Sequence, residues 1–274
     1  MPDITIATKQ MIEQLFDGAA KTYNRIGPNI FTQFGDRLVE RMPLTHGARV
    51  LDVATGNGAV LLPAARSVGS EGHVIGIDLS GEILQEAKSA VHKAGLTNVE
   101  LRKMDAEHLE FPDQAFDVVT CAFSIFLFPN IEAALREIYR VCKRGGYVGI
   151  SIFDKTPPPF NPGLPMLIQQ FMAHQSAVLM PQPFAYAPEE VEALLSRFDF
   201  RSIETYSEAN DIIYASEEDW WKFLLTIGSR LTILGMDEET RARFKEEYLV
   251  KLRPLLAQDG LHISTAVVYA VAQR

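Results

Sequence analysis

A chain of 274 residues that is 47% hydrophobic and 22% charged carries enough apolar side chain for a full-sized core. Its formal net charge of -9 argues against a surface built to hold nucleic-acid phosphates. Only two cysteines occur, Cys121 and Cys142; no basic and then apolar leader opens the chain; and no apolar run reaches the roughly 20 residues of a membrane span, so a cytoplasmic protein with reduced thiols is expected.

From Ile4 to Met42 the pattern is helical, broken at Gly27-Pro28, with Ile30, Phe34, Leu38 and Met42 on one face. Strands and helices then alternate. "ARVLDVA" reads as a short buried strand, and "AVLLPAARSV" as a helix with Pro63 in its early turns, where proline is tolerated. "GHVIGIDL" is a second strand. "SGEILQEAKSAVHKAG" is a helix capped by Ser80 and stopped by Gly95. "NVELRKM" and "AFDVVTCAF" are the third and fourth strands. "NIEAALREIYRVCKRGG" is a helix with Ile131, Ala134, Leu135, Ile138 and Val141 on one face, and "YVGISIF" is a fifth strand. Four of these strands lack clean alternation, as do strands of a parallel sheet covered by helices on both faces. The pattern predicts a doubly wound α/β fold, mostly parallel.

Proline-rich segments, "KTPPPFNPGLP" and "MPQPFAYAP", then bracket a helical stretch from Met166 to Leu179. "PEEVEALLSRF" is helical, "FDFRSIETYSEANDIIYA" is strand-rich, and "LHISTAVVYAVAQR" is the last strand. A second insertion, about 216–258, carries two helical patterns. The expected organisation is therefore N-terminal helices over 1–45, an α/β core over 46–153, a cap insertion over 154–187, and the end of the sheet over 188–274.

The first strand runs into Ala54-Thr55-Gly56-Asn57-Gly58. A dinucleotide fingerprint wants a third glycine, and Leu61 stands there instead. Asp52, just before the loop, would repel a pyrophosphate and favour a ligand with an ammonium group. Asp78 ends the second strand and can accept both hydroxyls of a ribose, which alone does not separate NAD from S-adenosylmethionine. Asp105 follows the third strand, where an acceptor can take an adenine amine. Three acids after three successive strands line the carboxyl edge, where open α/β sheets bind ligands.

With "FDGAAKTYN", "VLDVATGNG", "IGIDLS", "DAEHLEFPDQAFDVV" and "ALREIYRVCKRGGYVGIS", the chain resembles the class I S-adenosylmethionine-dependent methyltransferases over roughly 16–153. Within them it is most similar to the small-molecule branch that includes the ubiquinone and menaquinone C-methyltransferases. The resemblance implies a Rossmann-like methyltransferase fold of seven mostly parallel strands with helical cap insertions. It implies S-adenosylmethionine as cofactor, S-adenosylhomocysteine as product, and in-line transfer to an O, N or C atom. Asp52 and the Ala54, Thr55, Gly56, Asn57 and Gly58 backbone would hold the methionine portion, and Asp78 the ribose, with Leu79 beside the adenine. Asp105 and Ala106 would meet the adenine edge, and Cys121 to Phe123 would lie near the sulfonium. Tyr23 would close over the cofactor. One departure is plain: quinone methyltransferases carry an Arg-Asn pair soon after the fourth strand, and here "FSIFLFPN" is apolar and aromatic. That argues against a quinone-precursor acceptor.

For the acceptor, the residues themselves offer Phe126 and Phe128 after the fourth strand, Phe171, Met172, His174 and Met180 in the first insertion, and Trp220 and Arg230 in the second. Each also fits a packing or surface role. His174 is the one histidine placed where an acceptor would bind and is the candidate general base; no cluster has metal-ligand spacing. A small, largely apolar acceptor is expected, with neither nucleic acid nor a membrane span involved. The oligomeric state is left open, as is a non-methylating protein, such as a cyclase, that holds the adenosyl cofactor structurally.

Overall fold

The structure is a computed structural model that describes residues 4–156, 164–171 and 183–274. Two helices open the chain, α1 (Ile4–Ala19) and α2 (Ile30–Arg41). Strands β1 (Arg49–Val53), β2 (His73–Asp78), β3 (Val99–Lys103), β4 (Phe116–Ala122) and β5 (Cys142–Asp154) follow, with α3 (Leu61–Val68), α4 (Gly81–Lys93) and α5 (Ile131–Val141) between them. Beyond these come α6 (Leu164–Phe171), β6 (Ala185–Tyr186), α7 (Pro188–Ser196) and β7 (Arg201–Tyr214). The chain ends with α8 (Glu217–Leu224), α9 (Ser229–Gly235), α10 (Glu238–Leu252), β8 (Leu256–Ala257) and β9 (Gly260–Gln273).

The sheet runs β3-β2-β1-β4-β5-β9-β7, with the two-residue strands β6 and β8 attached to β5 and β9. β1 to β5 are parallel to one another, and β9 lies antiparallel between β5 and β7. Burial explains the missing alternation: Val50, Leu51, Asp52 and Val53 of β1 are all buried, because helices cover both faces. Capping sets the helix starts. The Ser80 hydroxyl accepts the Ile83 N–H at 3.1 Å at the start of α4, and the Asn130 side chain accepts the Ala133 N–H at 3.0 Å at the start of α5. α5 then buries Ala134, Leu135, Ile138 and Val141, the larger ones worth about 1.5–3 kcal/mol each. α2 lies directly on the loop after β1: a Cβ on Gly35 would sit 2.3 Å from the Ala59 carbonyl oxygen.

Two sequence expectations are corrected. The second insertion holds three helices rather than two, because the chain turns at Leu225 and the Ser229 hydroxyl donates to the Leu224 carbonyl at 2.6 Å. β6 and β8 were not anticipated; strands of two residues carry no periodicity to read. The helical stretch of the first insertion is described only as α6.

One feature of register shapes the upper part of the molecule. Pairing of β5 with β9 extends to Phe153 opposite Val267, whereas β9 remains paired with β7 as far as Leu261 opposite Tyr214. The β7–β9 pair therefore projects past the carboxyl ends of the parallel strands. α8 packs on β7, and α10 on α8 and α6, so helices cover that overhang.

Candidate active site

The carboxyl ends of β1, β2, β3 and β4 open into a cleft of about 740 Å³, including its mouth. Asp52 lies beneath its floor, 1% exposed. Its two oxygens accept the Thr55 hydroxyl at 2.6 Å and the Thr120 hydroxyl at 2.8 Å. Burial pushes the carboxyl up from 3.8 to about 6, more than the two hydroxyls pull it down, and nearby Asp78 adds to the rise. Asp78 accepts the Gly56 N–H at 2.9 Å and the Ser80 N–H at 3.0 Å. Burial raises it as well, to about 6, against those backbone donors. No cationic side chain among the described residues pairs with either acid. A buried and a half-buried carboxylate without a cation suit a ligand that brings one.

The loop between them is held in an unusual backbone shape. Ala54 and Gly56 both take left-handed φ values, 54° and 56°. A Cβ on Gly56 would stand 3.3 Å from the Tyr23 ring, so glycine lets Tyr23 close against the loop. The Asn57 amide donates to the Tyr23 carbonyl at 3.1 Å and ties the two together.

α1 lies across the cleft. Lys9 pairs with Asp105 at 2.7 Å and with Glu107; Glu13 pairs with Lys103; and Asp17 accepts the Ser80 hydroxyl at 2.5 Å. Phe16 meets the edge of Tyr23 at 5.8 Å, and burial holds the Tyr23 phenol well above its ordinary range.

At the end of β4, Phe123 has a left-handed φ of 50°, rare for an aromatic residue, and its N–H donates to the Ser151 carbonyl at 2.8 Å. That turn places its ring 5.3 Å from Phe31 and 4.8 Å from Phe153. Phe31 also stacks on Tyr23 at 5.4 Å, 10° from parallel. Cys121 lies behind this wall, 3.0 Å from the Ser124 hydroxyl, its thiol pushed up to about 12 by burial.

Of the residues expected around the cofactor, Tyr23, Ala54, Gly56, Asp78, Leu79, Asp105, Ala106 and Phe123 line the cleft. Asp52, Thr55, Asn57, Gly58 and Cys121 do not line it; they support the floor and loop from behind. Of the described residues put forward for the acceptor, Phe128 lines the cleft, and Phe126, Phe171, Trp220 and Arg230 lie apart from the lining. Phe126 is buried in the core below. Phe171 packs edge-on to Phe244 at 5.4 Å. Trp220 is fully buried and donates its indole N–H to the Tyr248 hydroxyl at 3.0 Å. Arg230 donates to the Leu225 carbonyl at 2.9 Å and rests against Gly18 of α1, with no acidic partner among the described residues. Met172, His174 and Met180 lie outside the described residues. Lys9, Glu107 and Phe31 escaped the sequence reading: Lys9 meets Asp105 across 96 residues of chain, and Phe31 looks like any core residue of α2.

Fold and cleft together define a doubly wound α/β protein with a site for a nucleoside that carries a cationic tail. The chain matches a methyltransferase domain model over residues 50–146. It is 36% identical over 174 residues to the aklanonic acid methyltransferase DauC of Streptomyces sp. strain C5, a match covering 61% of this chain and 79% of that one. It is 33% identical over 159 residues to the demethylmenaquinone methyltransferase of Listeria welshimeri, covering 57% of this chain and 66% of the relative. A Bacillus halodurans C-125 structure assigned as a methyltransferase shares the fold, with a TM-score of 0.61 at 22% identity over 88% of this chain and 98% of the other. The chain belongs to the S-adenosylmethionine-dependent methyltransferases: it is an enzyme, and S-adenosylmethionine is its cofactor. No helix among the described residues is long and apolar enough to cross a membrane.

Proposed function

We propose that this methyltransferase acts in the cytoplasm on a small, largely apolar acceptor that binds beneath α6, α8 and the β7–β9 overhang. The observation that carries the reading is the run of aromatic rings leading away from the cleft. Tyr23 and Phe123 line it, Phe31 touches both, and Phe223 of α8 lies 6.2 Å beyond Phe31. A polar or macromolecular acceptor would find no partner along that wall.

Bound in the cleft, the cofactor supplies a methyl carbon on a positively charged sulfur. Asp52 and the Ala54–Gly58 backbone receive its amino-acid end, Asp78 the ribose hydroxyls, and Asp105 with Ala106 the adenine edge. Asp105 has one oxygen on the Glu107 N–H at 2.9 Å and the other on Lys9, and a carboxylate oxygen can accept more than one bond. Tyr23 and Phe123 present ring faces to the sulfur and exclude water from the path of transfer. α1, held by Lys9, Glu13 and Asp17, shuts the cleft over the cofactor. The rest is alignment: the accepting atom must stand opposite the departing sulfur, about 3 Å from the methyl carbon. No histidine among the described residues lines the cleft. A phenol or alcohol acceptor would draw its base from the cap, where His174 falls.

Incubation with methyl-labelled S-adenosylmethionine and a small-molecule extract, followed by mass analysis, tests the reading. The labelled product should be a small apolar compound heavier than its precursor by one methyl group. Label in protein or RNA, or a product of unchanged mass formed without consuming the cofactor, as a cyclase would give, refutes it.

A further inference from the structure

The overhang of β7 on β9 carries polar groups that the site above does not use. On the sheet face that packs against α2, Asn210, Ile212 and Tyr214 of β7 stand opposite Thr265, Ile263 and Leu261 of β9. Leu261 and Ile263 are fully buried, and Ile212 beside them is buried too, so this end of the face is largely apolar. Yet the hydroxyls of Tyr214 and Thr265, on residues 1% and 0% exposed, have no hydrogen-bond partner among the described residues. A buried hydroxyl left unpaired is costly, and such groups in native proteins call for an explanation. Ser151 and Tyr269, lower on the same face, are also unpaired, but there the Arg41 guanidinium of α2 covers the Tyr269 ring at 4.6 Å.

Tyr214 sits differently. Its ring is 5.5 Å from Phe223 and 4.8 Å from Trp220. It also presses on the loop that joins Tyr23 to α2: a Cβ on Gly27 would fall 2.6 Å from its Cε1. From Phe223 the rings continue to Phe31 and so to Tyr23 and Phe123 at the cofactor. The indole N–H of Trp220 is already taken by Tyr248, so it is Tyr214 that brings an unspent donor to this aromatic wall.

We propose that Tyr214 is a specificity-determining residue for the methyl acceptor. Its hydroxyl donates a hydrogen bond to a carbonyl or hydroxyl oxygen of a planar, aromatic acceptor whose rings lie against Phe31 and Phe223. Thr265, on the same face, is the second donor available to such a molecule. The inference rests on the reading that the acceptor binds beneath the overhang.

Equilibrium dialysis of the protein loaded with S-adenosylhomocysteine, against 9-fluorenone and against fluorene, isolates the hydrogen bond, because the two probes share a ring system and differ in the carbonyl. The wild type should hold fluorenone about three- to tenfold more tightly. Tyr214→Phe should erase that preference while leaving the affinities for fluorene and S-adenosylhomocysteine unchanged. Its melting temperature should hold or rise, because the hydroxyl removed has no partner; Thr265→Val serves as a second, milder variant. The same ratio in wild type and Tyr214→Phe overturns the proposal. So does a wild type that holds neither probe, or a Tyr214→Phe protein that melts lower. With an acceptor identified by labelling, a raised acceptor KM at constant kcat in Tyr214→Phe supports the role. An unchanged KM refutes it and leaves the methyltransferase reading standing, whereas absence of any labelled small molecule strikes the reading of the acceptor itself.

Discussion

The proposed seating of the cofactor's ammonium group against Asp52 predicts an affinity that depends on pH. Its carboxyl is raised by burial from 3.8 to about 6. An acid raised on folding binds more protons in the folded chain than in the unfolded one between those values. The ligand-free protein therefore loses stability from this group as pH rises from about 4 to about 6, by about 3 kcal/mol in all. Asp78 acts in the same direction, and the two together give less than twice that figure because Asp52 is raised partly by Asp78. A ligand that brings an ammonium group reverses the balance, since it prefers the ionised carboxylate. At pH 5 about one tenth of a group titrating near 6 is ionised, and at pH 7 about nine tenths. S-adenosylhomocysteine, whose amine stays protonated throughout, should accordingly bind about tenfold more tightly at pH 7 than at pH 5. Calorimetric titration at pH 5, 6 and 7 measures this. Asp52→Asn should bind weakly at neutral pH and with a shallower slope. A wild-type Kd that is flat over this range, or a slope untouched by Asp52→Asn, refutes the placing of a cation against this acid.

Three further outcomes follow from the packing around the cleft. Gly35→Ala drives a methyl group into the Ala59 carbonyl, 2.3 Å away, and should cost about 1–3 kcal/mol by thermal melting, with weaker S-adenosylhomocysteine binding because α2 lifts off the cofactor loop. Lys9→Ala removes the pair that fastens α1 to Asp105 and Glu107; with Lys9 and Asp105 21% and 34% exposed, stability should change by less than about 1 kcal/mol, while stopped-flow should show faster S-adenosylhomocysteine release. Ser80→Ala removes both the N-cap of α4 and the hydroxyl that holds Asp17, so it should lower stability by about 1 kcal/mol and also speed that release.

The sheet and the cofactor end of the cleft were legible in the sequence because their signals are local. β1, β2 and β4 are short apolar runs bounded by turn residues, and each acid of interest stands within a few residues of a strand end. Asp78 could be placed from "IGIDLS" alone, and the structure adds only which backbone N–H groups it accepts. The overhang was not legible. That Tyr214 reaches Gly27 depends on how far β9 outruns β5, and no run of residues encodes that register. α10 is rich in charged residues, and Phe244 and Tyr248 on that helix are nevertheless fully buried, because α6 and α8 cover them. Trp220 was placed among acceptor contacts on residue type, and residue type could not say that Tyr248 takes its indole N–H.

The proposed assignment of the cleft divides its residues by what the reaction changes. Asp52 and Asp78 face an amine and a ribose, which are the same in donor and product. Whatever they contribute is uniform binding, which lowers the concentration of cofactor needed without raising the rate of the chemical step. Tyr23 and Phe123 face the sulfur, whose positive charge is lost when the methyl leaves. Ring faces attract a cation more than a neutral thioether, so these two residues favour the donor over the product and assist its replacement. Neither pair lowers the barrier by recognising the transition state. That leaves the rate to the alignment of the acceptor and the exclusion of water, both set on the far side of Phe123, by Phe31, Phe223 and Tyr214. Substitutions of Phe31 or Phe223 should act mainly on turnover, Tyr214→Phe mainly on acceptor affinity and choice, and substitutions at the acids mainly on cofactor affinity.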